Sequence, residues 1–190
     1  MRHVSLVIFV MIAGTAASAD ERQVPEPSKP GSGGVVSAKL IYEIGDAQTP
    51  QCHASTIVET NDGLVAAWFG GAHEKNPDVG IWLSRHVDGK WTTPVELVDG
   101  SETEDQQYAC WNPVLFQPAD GPLMLFYKVG LNPRDWWGAL ITSSDDGKTW
   151  SQPKNMTRTW KKRDWVLYAP SPQQGIALRD GTLVMPTQGR

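Results

Sequence analysis

Apolar residues in this chain fall in short runs separated by turn residues, and the runs come in pairs. Asn61-Asp62-Gly63, Ala119-Asp120-Gly121 and Arg179-Asp180-Gly181 each stand between two such runs. Asp-Gly between apolar runs is a strong hairpin signal, because both residues accept positive φ. The pattern predicts strands over 54–59 and 64–69, then 79–85 and 91–97 after a longer loop. A second set is predicted at 113–117, 123–128, 138–143 and 150–154. A third opens at 175–178 and 182–186.

The sets repeat in step. The hairpin glycines 63, 121 and 181 lie 58 and 60 residues apart, and Asp88-Gly89-Lys90-Trp91 returns 58 residues later as Asp146-Gly147-Lys148-Thr149-Trp150. Four short strands in a unit of this length predict the blade of a β-propeller. The fold class is therefore all-β: blade one over 50–98, blade two over 110–156, and the start of blade three over 172–190, about two and a half blades. Closed propellers need about four to eight blades. An open stack would leave a bare strand edge near Met185, so the chain reads as the N-terminal part of a longer protein.

Composition narrows the function. Eighteen Gly, fourteen Pro and nine Trp in 190 residues favour a turn-rich β protein over a helical bundle. Seventeen basic against 21 acidic residues give a net charge of −4. Nucleic-acid binding is disfavoured, since phosphate neutralisation needs clustered Lys and Arg. Arg2 and His3 precede an apolar run from Val4 to Ala13, and Ala17-Ser18-Ala19 supplies a small-residue cleavage pattern. Residues 1–19 are predicted to be a signal peptide, which makes the mature protein secreted or periplasmic. The run is too short to span a bilayer, so no stable membrane insertion is expected after cleavage. Residues 20–38 are rich in Pro, Gly and Ser and read as a flexible linker. Gly31-Ser32-Gly33-Gly34 has no strand before it or helix after it, so it is no dinucleotide loop, and no cofactor is implied. Cys52 and Cys110 are an even pair that export would permit to form a disulfide. No His, Cys or carboxylate spacing points to a metal.

Ser143-Ser144-Asp145-Asp146-Gly147-Lys148-Thr149-Trp150 matches S-x-D-x-G-x-T-W and resembles the Asp-box of the bacterial neuraminidase repeat. Ser84 to Trp91 resembles a degenerate copy. In this box, which includes Thr149, Ser143 and Asp145 are expected to cap the turn, Gly147 to take positive φ and Trp150 to pack between blades. The role is structural. The segments Leu64–Arg85 and Tyr168–Pro186 are similar to blade-one and blade-two-to-three passages of secreted sialidases, so the resemblance covers roughly residues 40–190. It implies a six-bladed propeller and an exo-α-sialidase-like glycoside hydrolase acting on a glycan or oligosaccharide. By position Asp78 matches the family's general acid/base. The implied mechanism is retaining with a Tyr nucleophile, and three arginines clamp the sugar carboxylate. The Tyr, its Glu partner and two of those arginines would come from later blades. Where the first arginine is expected, in an Arg-Ile-Pro motif, this sequence has Cys52-His53-Ala54-Ser55. A neutral imidazole does not replace a permanent bidentate cation, which turns attention to other acidic or deoxy sugars.

Each candidate has a plainer reading beside it. Asp78 follows Asn76-Pro77 in a loop, where carboxylates also serve as solvated turn formers. Glu74 is either a sugar ligand or a solvated charge. His53 either points into a central pocket or binds backbone at a strand end. Asn112, in the Trp111-Asn112-Pro113 segment that opens blade two at the place equivalent to His53, either meets sugar hydroxyls or caps a strand. Lys128 either meets a carboxylate or snorkels at an edge. Trp136-Trp137 suit stacking on a sugar or packing between blades. The expectation is an exported exo-glycosidase of the sialidase superfamily with Asp78 as acid/base. The alternatives are a non-catalytic carbohydrate-binding propeller, or a sialidase-like enzyme on another acidic or deoxy sugar that uses His53.

Overall fold

Five strands build the first sheet: β1 (Gln51–Thr60), β2 (Gly63–Gly71), β3 (Gly80–Val87), β4 (Lys90–Trp91) and β5 (Val95–Val98). They run antiparallel in the order β1-β2-β3-β4, with β5 also pairing on β3. This computed structural model describes residues 38–156, Gly33, and the backbone of two short later strands. The expected signal segment 1–19 and all of the linker except Gly33 and Ala38 lie outside the described residues. A compact unit begins at Leu40.

A small hairpin follows, β6 (Ser101–Thr103) with β7 (Gln106–Gln107). The second sheet then repeats the first: β8 (Cys110–Phe116), β9 (Leu123–Val129), β10 (Trp137–Ser143) and β11 (Lys154–Asn155), antiparallel in the order β11-β10-β9-β8. The pair β12 (Ile176–Ala177) and β13 (Leu183–Val184) opens a third sheet.

The outer strands are shorter than the apolar pattern predicts. In place of one strand over 91–97, β4 and β5 flank Thr92-Thr93-Pro94. Ser84 Oγ donates to the Thr92 carbonyl at 2.7 Å, and Pro94 has no N–H for a ladder. In the second sheet only Lys154 and Asn155 are strand, because Ser151 closes a turn instead: its N–H reaches the Thr142 carbonyl at 2.9 Å.

The repeat is also a backbone repeat. Gly63 and Gly121 both have φ 132°, and Asp88 and Asp146 both have positive φ. Ala54 (φ 51°) and Asn112 (φ 43°) sit at matching irregularities, where the register of β1 on β2 shifts between His53 and Thr56 and that of β8 on β9 between Trp111 and Val114. Such bulges bend a strand and re-aim its side chains.

The two sheets pack face to face. Alternate residues supply the core between them: Val65, Ala67 and Phe69 of β2, Ile81 and Leu83 of β3, Leu125, Tyr127 and Val129 of β9, and Ile141 of β10. Backbone bonds lock the pair. Cys110 N–H donates to the Val79 carbonyl at 2.7 Å, and Leu115 N–H to Thr56 Oγ1 at 3.2 Å. The opposite face of the second sheet holds a smaller cluster of Val114, Phe116 and Phe126.

At the end of the sheets where β10 finishes, Asp145 organises the turn of residues 143–150. Its carboxylate accepts from Thr149 Oγ1 (2.6 Å), Thr149 N (2.9 Å), Ser143 Oγ (2.7 Å) and Lys148 N (3.1 Å). Gly147 has φ 81°, and its N–H donates to Ser143 Oγ at 2.8 Å. The first sheet's hairpin docks here. Asn61 N–H donates to Asp146 Oδ1, Arg85 Nε–H to the Asp146 carbonyl, and Asp62 pairs with Lys148 at 2.5 Å.

The bonds from Thr149, then from Ser143 and Lys148, hold the Asp145 carboxyl well below the usual carboxylate range. A depressed carboxyl adds stability above the unfolded value of about 4, and that stability is lost as pH falls through the folded value. Asp145→Asn is therefore expected to lower the melting temperature at pH 7 and to flatten its fall below pH ~4. Thermal melts of both proteins across pH 2–7 check this.

Candidate functional site

The candidate residues gather at the other end, where β1 and β8 begin and β2 and β9 finish. Asp78 sits exposed in the loop joining β2 to β3. Both of its carboxylate oxygens lie 3.2 Å from the Ala72 N–H, and Asn76 Oδ1 accepts its backbone N–H at 3.2 Å. The loop is further closed by Asn76 N–H to the His73 carbonyl and Val79 N–H to the Asn76 carbonyl. The Val79–Cys110 bond then ties this loop to the start of β8.

Gly71 makes that placement feasible. A Cβ there would lie 2.8 Å from Asp78 Oδ1 and 2.9 Å from Val79 Cα. Gly71→Ala is expected to displace the Asp78 loop and, if that carboxyl takes part in the chemistry proposed below, to reduce turnover at least tenfold, since misplacing a reacting group by about 1 Å costs up to ~100-fold. Kinetics alongside a thermal melt check it.

Glu96 on β5 is a neighbour that no pattern in the sequence marks. A Cβ on Gly80 would collide with its Oε1. Burial, then the charges of Asp99 and Asp78, raise its pKa. Glu74 lies on the same loop as Asp78, exposed, and among the described residues only its carbonyl is engaged, by His73 Nδ1 at 3.0 Å.

His53 is exposed on β1, and its ring stacks on Phe69 at 5.7 Å and 24°. An open groove of about 440 Å³ runs beside it, lined by Tyr42, Cys52, Ser55 and Trp68 among others. The Tyr42 hydroxyl lies 3.6 Å from Cys52 Sγ. Burial first, and then Cys52, push the phenol up to about 12.

Phe69 continues an aromatic row into the second sheet: Phe69 to Trp111 at 6.1 Å, then Trp111 to Trp136 at 5.7 Å. Trp111 is buried and donates from Nε1 to the Gly130 carbonyl at 2.9 Å. Asn112 follows it at the bulge, half-buried, its side-chain amide without a hydrogen bond among the described residues. At the end of the row the Lys128 ammonium lies 4.5 Å from the centre of the Trp136 ring. Trp137 instead packs edge-on against Tyr108 at 5.4 Å.

Strand register thus brings His53, Asp78, Asn112 and Lys128 to one end, with Glu74 on its loop, and puts the turn of Ser143, Asp145, Gly147, Thr149 and Trp150 at the other. Cys52 and Cys110 do not form the bridge that the sequence permits. Both are free thiols, Cys52 exposed on β1 and Cys110 buried in the core between the sheets, where burial raises its pKa. Among the described residues no three His, Cys, Asp or Glu side chains converge as a metal site would require.

Two repeated antiparallel sheets with Asp-Gly turns at one end and polar and aromatic side chains at the other define a β-propeller of the neuraminidase-repeat kind. The BNR repeat-like domain pattern matches residues 62–190, more than half of the chain. The chain belongs to this family, within the sialidase superfamily. It is 41% identical over 174 residues to a sialidase of Bacteroides fragilis, an alignment covering 78% of this chain and 32% of that protein. It is 30% identical over 169 residues to an exo-alpha-sialidase of Arthroderma benhamiae, covering 70% and 40%. Among solved structures it resembles the Hadza microbial sialidase Hz136, with a TM-score of 0.63 and 22% identity, covering 76% of this chain and 34% of that one. A Dyadobacter fermentans protein of unknown function matches with a TM-score of 0.52 and 17% identity, covering 70% and 45%. The chain spans 32% and 40% of the length of those two curated relatives.

Proposed function

We propose that this protein is an exported exo-glycosidase of the sialidase type that removes a terminal, acidic sugar from glycoconjugates, with Asp78 as its general acid/base. The observation carrying this reading is the Asp78 loop. An exposed carboxylate is held by the Ala72 N–H and tied through Val79 to the second blade, at the same end as His53 and Asn112. Membership of the sialidase superfamily supports it.

In the reaction the Asp78 carboxyl gives its proton to the departing glycosidic oxygen. As the carboxylate it then takes a proton from the water that completes hydrolysis, the usual alternation of a positioned acid/base. His53 on its Phe69 platform, Asn112 at the bulge and Glu74 on the loop are placed to bind sugar hydroxyls. Export rests on the signal pattern of residues 1–19.

The test is hydrolysis of a fluorogenic sialoside and of a panel of other acidic and deoxy glycosides. Release from at least one supports the reading, and its identity names the sugar. Binding without release from any of them contradicts it and favours a carbohydrate-binding propeller. The exposed imidazole of His53, where the family's first arginine is expected, favours a second reading in which His53 is the base. That reading requires His53→Ala to abolish release while Asp78→Asn is tolerated.

A further inference from the structure

Lys128 is 1% exposed. It lies on β9 opposite Trp111 of β8 and Gly138 of β10, and the next residues on its face of the strand are Phe126 and Met124. A snorkelling lysine keeps its ammonium in water, and this one does not. Among the described residues no carboxylate lies within ion-pair distance of Nζ and no hydrogen bond reaches it, although an ammonium carries three donors. The Trp136 ring at 4.5 Å is its one cation–π partner there. Burial accordingly pushes the pKa down, because desolvation disfavours the charged form.

A buried charge that no described residue neutralises costs stability, and an apolar residue such as the neighbouring Met124 would fill the same strand position without that cost. A residue that weakens the fold and stands beside the proposed sugar end is explained by what it binds. Three donors in an apolar setting call for an anion. Among the described residues the Trp136 ring lies over them. Trp136 is half-buried, rests edge-on against Trp111, and is approached so closely by Gly130 (φ 153°) that a Cβ there would lie 2.5 Å from Trp136 Cα. Rotation of the half-buried indole would open that side of Nζ and leave an aromatic face against which a sugar ring can stack.

We propose that Lys128 is the charge-selecting residue of this site: its ammonium, beneath Trp136, receives the anionic group of the terminal sugar, a carboxylate or a sulfate ester. The assignment rests on reading this end of the propeller as the sugar site. It supplies a cation where the strand-opening position of β1 carries His53 instead of arginine.

The experiment titrates the full chain with N-acetylneuraminic acid, galactose 6-sulfate and the neutral N-acetylmannosamine, read by calorimetry and by tryptophan fluorescence. The wild type is expected to bind one of the two anions at least ~10-fold more tightly than the neutral sugar, the size of a charge-assisted contact, and which anion wins separates carboxylate from sulfate. Lys128→Met is expected to erase that preference while melting at the same or a higher temperature, and Lys128→Arg to keep part of it. A structural lysine would instead lower the melting temperature and leave the preference intact. An unchanged preference in Lys128→Met, or no preference in the wild type, overturns the proposal. The outcome is separable from the glycosidase reading. Charge-selective binding without hydrolysis contradicts only that reading, and hydrolysis with an unaltered KM in Lys128→Met contradicts only this one.

Discussion

Asp78→Asn is expected to lower the turnover of a terminal acidic glycoside by about 10²–10⁴-fold, the usual worth of a positioned general acid/base. The side-chain amide preserves the shape of the carboxylate and its oxygen can still accept from the Ala72 N–H, so the loop and the melting temperature should hold. It has no proton to give. The loss should depend on the leaving group. An aryl glycoside departs as a weakly basic phenolate and needs little help, whereas a sugar alcohol needs the proton before it can leave. The substitution should therefore impair hydrolysis of a natural disaccharide linkage more than that of a fluorogenic aryl glycoside. Measuring kcat for both substrates, beside a thermal melt, checks the size and the difference together. Equal losses on both would mean that Asp78 positions the sugar without donating the proton.

Trp111→Ala is expected to destabilise the protein by about 3–5 kcal/mol, the range for truncating a buried aromatic. Trp111 is 2% exposed, joins Phe69 to Trp136 across the two sheets, and satisfies the Gly130 carbonyl. Its removal opens a cavity, and leaving the carbonyl unpaired adds about 1–3 kcal/mol if water does not enter. Against a total stability of about 5–15 kcal/mol, that is a large share. Urea unfolding of the variant reports it as a lower midpoint. Trp111→Phe should recover part of the loss, because it keeps an aromatic ring while giving up the N–H and the volume of the indole's second ring.

Most of the blade plan is legible from the chain because its signals are local. Asp-Gly turns need positive φ, and the structure has it at Gly63 and Gly121. The alternation of Leu64 to Phe69 and of Leu123 to Val129 matches strands buried on one face or both. The hairpin β6–β7 was not legible, since Ser101, Glu102, Thr103 and two glutamines carry no apolar alternation. The outer strands were overextended because Trp91 and Trp150 attract a strand reading, while Pro94 and the turn at Ser151 end the ladder.

The site was legible in its parts and not in its arrangement. Asp78 is found from its loop and the family resemblance, but the Ala72 and Val79 bonds that fix it are backbone contacts with no sequence mark. Register shifts lie at Ala54 and Asn112, and while Asn favours positive φ, Ala at a strand start does not announce it. Lys128 follows the apolar run Leu123–Tyr127 and so resembles a lysine at a strand edge. Only packing reveals that its ammonium is enclosed. The 58-residue offset between His53 and Trp111 was the available clue that an aromatic platform stands at the matching place in the second blade.

The proposed function requires the sugar to bind at the end where β1 and β8 begin, away from the Asp145 turn at the opposite end. The most direct measurement is a crystal structure of the protein with N-acetylneuraminic acid, or with whichever acidic sugar the panel selects. Sugar density is expected between the Asp78 loop and Asn112, with its anionic group on Lys128 and Trp136 swung aside. Density beside Asp145 and Trp150 instead, with Asp78 and Lys128 untouched, would contradict it.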